Sequence, residues 1–349
     1  MGIQVALNHR TRYGYDKAVS LGPQVVQLRP APYARTPILS YSLRVTPARH
    51  FLSWQLDPHN NHGARLLFPD KTTEFVVEVD LVAEISPFNP FDFLLEPGVE
   101  DYPFKYASEM AKDLEPYRSV EPAGPLLQGF LDDLSREKHG TIDFLLYLNR
   151  KVRNEIDYVT RLDPGVQLCE LTLENHTGSC RDSAWLLVQV LRHLGIAARF
   201  VSGYLIQLAP DDTAMEEPGG PQTDSADLHA WAEAFLPGAG WIGMDTTSGL
   251  FTGEGHIPLV CTPNASNAAP IGGTVEPANV DFSFSISMRR LNEAPRPSKP
   301  FAEADWERVQ EVAHSVDADL EAQDVRLTMG GEPTFVAVDE TERDRKSVV

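Results

Sequence analysis

The sequence predicts an α+β protein, with a β-sandwich over residues 1–100 followed by a domain that combines helices with a β-hairpin. Three observations lead there. Short apolar runs alternating with turn residues fill the first hundred positions. Helical apolar periodicity then appears at 125–137, at 141–156 and again from Ala184 to Leu194. Two aromatic-rich segments of period-two character, 227–235 and 240–245, flank the turn residues Pro237, Gly238, Ala239 and Gly240.

Taken in order, the strand patterns of the first domain are clearest at 25–30, 39–45 and 74–81. The Pro-rich stretch 86–103 reads as a connection, and 101–124 as the linker into a second domain at 125–257. Residues 258–300, rich in Pro, Ala, Ser and Asn, read as an extended wrap or linker. A helix over 302–322 opens a C-terminal piece at 301–343. Residues 344–349 coincide with the in-frame translation of a common sequencing adapter and are read as an artefact, the plain alternative being a charged tail. No internal repeat is evident.

Composition narrows the function classes. The chain has 349 residues, enough for more than one core, and its 42% hydrophobic and 23% charged content is that of globular protein. A formal charge of −20 argues against nucleic acid or an anionic membrane as partner. Cys169, Cys180 and Cys261 are too few for a disulfide framework and point to a reducing compartment. The first residues lack a signal peptide's basic-then-apolar plan, and no run approaches a membrane span, so the expected location is cytoplasmic.

Cys180 carries the chemistry. Apolar residues at Leu187, Val188, Leu191 and Leu194 form one face of a helix that Gly195 ends. Ser179 with Asp182 three residues on reads as a capping pair, so Cys180 falls in the first turn. Unpaired N–H groups and the helix dipole there favour a thiolate. Cys169 and Cys261 have no such setting and read as structural.

The hairpin supplies partners. A three-residue loop, Pro237 to Ala239, pairs Leu236 with Gly240 and hence Trp231 with Asp245, leaving His229 diagonal to Asp245 on one face. A four-residue loop would separate them. His256 is the rival base but lacks an aspartate of comparable placement. His59 and His62 sit in strand-connecting turn chemistry rather than a metal pair. Trp231 and Trp241 read as core, and Arg181 and Asp182 as surface-pairing and capping residues beside the nucleophile.

The order Cys180, His229, Asp245, with the segments Gly178-Ser179-Cys180, Leu191 to Tyr204, His229 to Glu233 and Gly240 to Thr247, resembles the transglutaminase-like superfamily of papain-type thiol enzymes over about residues 140–250. Thr246 departs from the family pattern, which has Pro after the Asp. The strand-rich N-terminal region resembles the one that precedes such domains in bacterial proteins, and 324–336 resembles the opening of a large uncharacterised domain found behind them. The resemblance implies a papain-like, transglutaminase-like fold for 125–257, with Cys180 as nucleophile, His229 as general base and acid, and Asp245 orienting the imidazole. It implies an amide or isopeptide bond in a peptide or protein as target; hydrolysis is expected in preference to transamidation because excluding water demands an amine-binding tunnel, and the sequence shows none. The Cys180 N–H is the expected oxyanion donor; Asn175 and Tyr158 are candidates for the second. No metal or organic cofactor is expected. The alternative from a different class is a catalytically silent scaffold that keeps the fold.

Overall fold

Alternation of buried and exposed side chains organises the N-terminal strands. On β1 (Ile3–Val19), Val5, Leu7, His9 and Thr11 point inward, and β6 (Thr72–Ile85) answers with Val77, Val79, Leu81 and Ala83. The two strands run antiparallel with Leu7 opposite Leu81. Between them lie β2 (Leu21–Val26), β3 (Ile38–Thr46), β4 (Phe51–Leu56) and β5 (His62–Leu67). The chain is represented by a computed structural model that describes residues 2–134, 138–161, 163–209, 223–292, 303–322, 325–328 and 334–337. Two compact units are present, Met1–Ala294 and Pro295–Val349.

Segment 101–124 is tied down rather than loose. It contains β7 (Asp101–Tyr102) and α1 (Ser108–Asp113). Tyr102 is buried and stacks on Phe144 with ring centroids 4.0 Å apart. The Tyr106 hydroxyl accepts from the Ala197 N–H at 2.9 Å and donates to the Phe235 carbonyl at 2.8 Å. Aromatic residues that bury a ring and place a polar tip make this a strap, which Pro content alone does not reveal.

The helices follow: α2 (Pro125–Asp132), β8 (His139–Gly140), α3 (Thr141–Glu155), β9 (Asp157–Tyr158), α4 (Cys169–Asn175), β10 (Thr177–Gly178) and α5 (Cys180–His193). A Schellman pattern closes α5. Gly195 sits at φ 83°, its N–H bonds Arg192 O, and the Ile196 N–H reaches back to Leu191 O, both at 2.9 Å. Then come β11 (Ala198–Gln207), β12 (Ser225–Leu236), β13 (Gly240–Asp245), β14 (Leu250–Phe251) and β15 (His256–Thr262). They form one antiparallel sheet in the order β14-β13-β12-β11-β15, and α5 packs across β11 and β12.

The stretch 258–300 is not an extended wrap. Its first residues belong to β15, and two further strands follow, β16 (Ile271–Val275) and β17 (Val280–Asn292). These complete the sandwich, giving four-stranded sheets β17-β1-β6-β3 and β16-β2-β5-β4. Serines lower the hydropathy of β17 and hide the strict alternation of Phe282, Phe284, Ile286 and Met288. Its edge position leaves Phe282 and Phe284 about half exposed. Residues 293–300 lie outside the described residues.

The second unit contains α6 (Glu303–Ala322) and a hairpin of β18 (Val325–Thr328) with β19 (Thr334–Ala337), Val325 facing Ala337. Residues 344–349, read above as an artefact, lie outside the described residues. Among the described residues no helix is long and apolar enough to cross a membrane.

Gly203 lies at a tight point of the central sheet. A Cβ there would meet the Ile257 carbonyl oxygen at 2.3 Å and the Trp231 ring at 2.5 Å. Overpacking of this kind costs about 1–3 kcal/mol. Gly203→Ala is therefore expected to lower the urea midpoint without changing the m-value, and an unaltered midpoint would show that the sheet yields freely.

Candidate active site

Cys180 is the first residue of α5, and the buried carboxylate of Asp182 fixes that start. The Ser179 N–H donates to Asp182 Oδ2 at 2.8 Å and the Ser179 hydroxyl at 2.7 Å. Arg161 grips the same carboxylate through Nε at 3.0 Å and Nη2 at 2.9 Å, and the Gln167 N–H adds a bond at 2.7 Å. Burial acts to raise the Asp182 pKa, yet Arg161 and the two backbone donors hold it below the usual carboxylate range. The helix start is thus anchored by a charged group, and Arg161 is the anchor that sequence periodicity did not single out. Cys180 itself is partly exposed, whereas Cys169 and Cys261 are buried.

The hairpin loop has three residues. Leu236 faces Gly240 and Ala232 faces Met244, which sets Trp231 against Asp245. His229 Nε2 lies 3.0 Å from Asp245 Oδ1, both side chains being buried. Burial acts to lower the His229 pKa, but its hydrogen bonds to Asp245 and to Cys180 outweigh that and raise it. With Nε2 committed to Asp245, Nδ1 is the ring nitrogen on the Cys180 side. The imidazole therefore stands between the thiol and the carboxylate.

Asp245 is held from several directions. Its Oδ1 also accepts the Thr247 N–H at 2.9 Å, and its carbonyl accepts from the buried Asn149 amide on α3 at 3.2 Å. Burial would lift the carboxyl, while His229 and His256 depress it well below the ordinary range. Thr246 takes up a packing role, its hydroxyl donating to Ser183 Oγ on α5 at 3.1 Å. The residue that departs from the family pattern thus ties the end of β13 to the helix that bears Cys180.

His256 approaches Asp245 from the other side, Nε2 lying 3.5 Å from Oδ2. That separation is an ion-pair distance but too loose for a formed hydrogen bond, and Nε2 has no other partner. The three side chains also bring ligand-type atoms within 4.8 Å of one another. This donor set suits a divalent cation as well as a proton chain, and the uses exclude each other because each ring nitrogen carries either hydrogen or metal.

Of the other candidates, Tyr158 lies on β9, paired in parallel with β10 so that it faces Gly178, two residues before Cys180. Burial, then the neighbouring Cys180, raise its phenol pKa. Asn175 ends α4 with its side chain exposed. His59 and Asn61 close a turn on Asp57, whose Oδ1 accepts both N–H groups at 2.8 Å. A cavity of about 520 Å³ adjoins His256, Trp231, Trp241 and the buried Arg199–Glu233 ion pair; Cys180 is not among its lining residues.

Residues 128–246 match the family model for the transglutaminase-like superfamily, and residues 5–84 match the bacterial transglutaminase-like N-terminal region. Residues 276–347 match a family described as "Putative amidoligase enzyme (DUF2126)". An uncharacterized protein of Mycobacterium tuberculosis is 23% identical over 298 residues, covering 81% of this chain and 90% of that protein. One from Mycobacterium leprae is 32% identical over 144 residues, covering 41% of this chain and 48% of its own. A crystal structure from Cytophaga hutchinsonii, named a "Putative Cysteine Protease", superposes with a TM-score of 0.63 at 17% identity, covering 85% of this chain and 93% of that one. The fold is shared at that level.

Burial pushes the Cys169 and Cys261 thiols up to about 12. Iodoacetamide at neutral pH should therefore alkylate Cys180 well ahead of both; equal labelling of the three, read by peptide mass spectrometry, would contradict the site. The His229 proton, held by Asp245 and Cys180, is present at neutral pH and lost only as pH rises through the raised pKa. Asp245→Asn removes one of those supports, so NMR titration of the His229 ring should show deprotonation at lower pH than in the wild type. An unshifted curve would mean that Asp245 does not govern the imidazole.

Proposed function

We infer that this transglutaminase-like domain is a cysteine-dependent acyl-transfer enzyme, opening an amide or isopeptide bond in a peptide or protein and passing the acyl group to water. The observation that carries the reading is one imbedded imidazole set between the Cys180 thiol and the Asp245 carboxylate, with Cys180 in the first turn of a buried helix. That is the arrangement a thiol nucleophile needs: a base within reach, a group orienting the base, and N–H donors at the point of attack.

The steps follow from the geometry. The Cys180 sulfur attacks the carbonyl carbon while His229 Nδ1 holds the thiol proton. The oxyanion is met by the Cys180 N–H at the start of α5, where backbone amides lack an acceptor one turn back in the helix, with Tyr158 on the adjoining strand the candidate for a second donor. Imidazolium then protonates the leaving amine and the Cys180 thioester remains. Water, deprotonated by His229, cleaves the thioester and restores the thiol. Asp245 stays ionised throughout, keeping the ring in the tautomer that leaves Nδ1 free to exchange the proton.

Hydrolysis is preferred over amine transfer because Cys180 is partly exposed and Tyr158 beside it is about half exposed, which admits water. The same reading puts the enzyme in the cytoplasm, supported by three cysteines that are all free.

Turnover of a peptide library by the whole chain should vanish in Cys180→Ala and fall by about 10³-fold or more in His229→Ala, with unchanged far-UV circular dichroism. The expected product is free acid, with little incorporation of a labelled amine, and EDTA should leave the rate intact. Turnover that persists in Cys180→Ala would defeat the reading. An inert wild type with an unreactive Cys180 would leave a scaffold that keeps the fold.

A further inference from the structure

We propose that His256 is a positioning residue, acting through Asp245 on His229, so that the site is a linear chain from Cys180 through His229 and Asp245 to His256. The proposal rests on the hydrolase reading for its kinetic consequences, but its structural core does not. Three observations carry it.

The first is the tautomer. The Gly253 N–H donates to His256 Nδ1 at 3.2 Å, so Nδ1 is an acceptor and the ring hydrogen of the neutral form sits on Nε2. Nε2 is the atom that faces Asp245 Oδ2 at 3.5 Å and has no other partner. A buried N–H with nowhere else to turn is directed at a buried carboxylate oxygen.

The second is the division of the carboxylate. Oδ1 serves His229 and the Thr247 N–H, and Oδ2 is the oxygen left for His256. Donors on both oxygens fix the plane of the carboxylate and thereby the direction in which His229 is pulled. Without His256, Oδ2 loses the ring nitrogen that faces it, and the plane of the carboxylate is less firmly set.

The third is confinement. The His256 ring stands edge-on to Trp231, at 5.2 Å and 86°, and Trp231 is fully buried beneath both histidines. Strand β15, which bears His256, is held from the sandwich side: the Ala31 N–H bonds Pro258 O at 2.8 Å and the Thr36 hydroxyl bonds Glu254 O at 2.6 Å. His256 is turned away from the role of base: Nδ1 accepts the Gly253 N–H and Nε2 faces Asp245 Oδ2. A rival for His229 by sequence becomes its support two bonds away.

The test uses His256→Ala and His256→Gln in the whole chain, since the Gln amide nitrogen falls near the position of Nε2 and keeps the donor. Turnover is expected to fall about 10-fold in the alanine variant and to return to within about 3-fold of wild type in the glutamine variant, as loss and return of one polar contact to a charged group would give. In parallel, without any substrate, the downfield proton resonance of the His229 Nε2–H should move in His256→Ala and return in His256→Gln. Wild-type turnover and an unmoved resonance in His256→Ala would overturn the proposal. So would equal impairment of both variants in step with lost thermal stability. Loss of wild-type activity on EDTA, restored by Zn²⁺ but not in His256→Ala, would make His256 a metal ligand instead. Because the resonance needs no turnover, an inactive wild type would defeat the hydrolase reading while leaving this inference to stand or fall on the spectrum.

Discussion

A buried negative charge at the end of β13 sets the terms for the rest of the site. Asp245 is almost wholly enclosed, and an ionised carboxylate in such a place costs several kcal/mol unless it is answered by donors. The carboxylate is answered by hydrogen bonds from His229 on β12 and the Thr247 N–H in the following turn, with His256 on β15 facing its second oxygen, while Asn149 of α3 holds the backbone carbonyl. Each hydrogen bond to a charged group contributes about 1.5–3 kcal/mol, so the two bonds together offset much of the burial. What results is a carboxylate that cannot rotate and an imidazole that keeps its proton.

Asp182 solves a different problem with the same chemistry. It too is buried and charged, but its donors are Arg161, Gln167 and Ser179, all belonging to the approach to α5. Its negative charge at the helix N-terminus is favoured by the dipole, and its bonds close the first turn. Thr246 and Ser183 then join the two carboxylate systems, one hydroxyl from the end of β13 to one from the first turn of α5. The thiol and the imidazole are therefore positioned by two networks that this bond ties together.

Local chemistry made much of this readable in advance. The α5 boundaries follow from Ser179, Asp182 and Gly195, residues whose capping roles depend only on near neighbours. The parity of His229 and Asp245 follows from counting a turn of Pro237 to Ala239. What stayed hidden depends on distant residues. Arg161 meets Asp182 across 21 positions, and nothing in its own surroundings marks it. Spacing gives His256 no aspartate, whereas the fold brings it to the second oxygen of the carboxylate that holds His229, a fact of geometry rather than of spacing. The strands in 258–300 were masked by composition, where Ser and Pro outvoted the alternation of Phe282, Phe284 and Ile286.

Those late strands explain why the sandwich and the sheet bearing the candidate site belong to one unit. The two sandwich sheets take strands from residues 3–85 and again from 271–292, so the elements of the candidate site lie between the two parts of one sandwich. Contacts cross between them at buried polar groups. His9 on β1 bonds the Tyr204 hydroxyl on β11 at 2.9 Å, and Asn61 both accepts the Cys261 N–H and donates to the Cys261 carbonyl at 2.9 Å. Asn61 thereby completes β15 along the edge that, among the described residues, no neighbouring strand of its sheet covers. A buried backbone edge must be paired, and here the pairing is done by a turn of the sandwich. Since β15 is also the strand that presents His256, the N-terminal region helps to set the place of that ring beside Asp245. The sandwich and the sheet that bears the candidate site are in this sense parts of one compact unit.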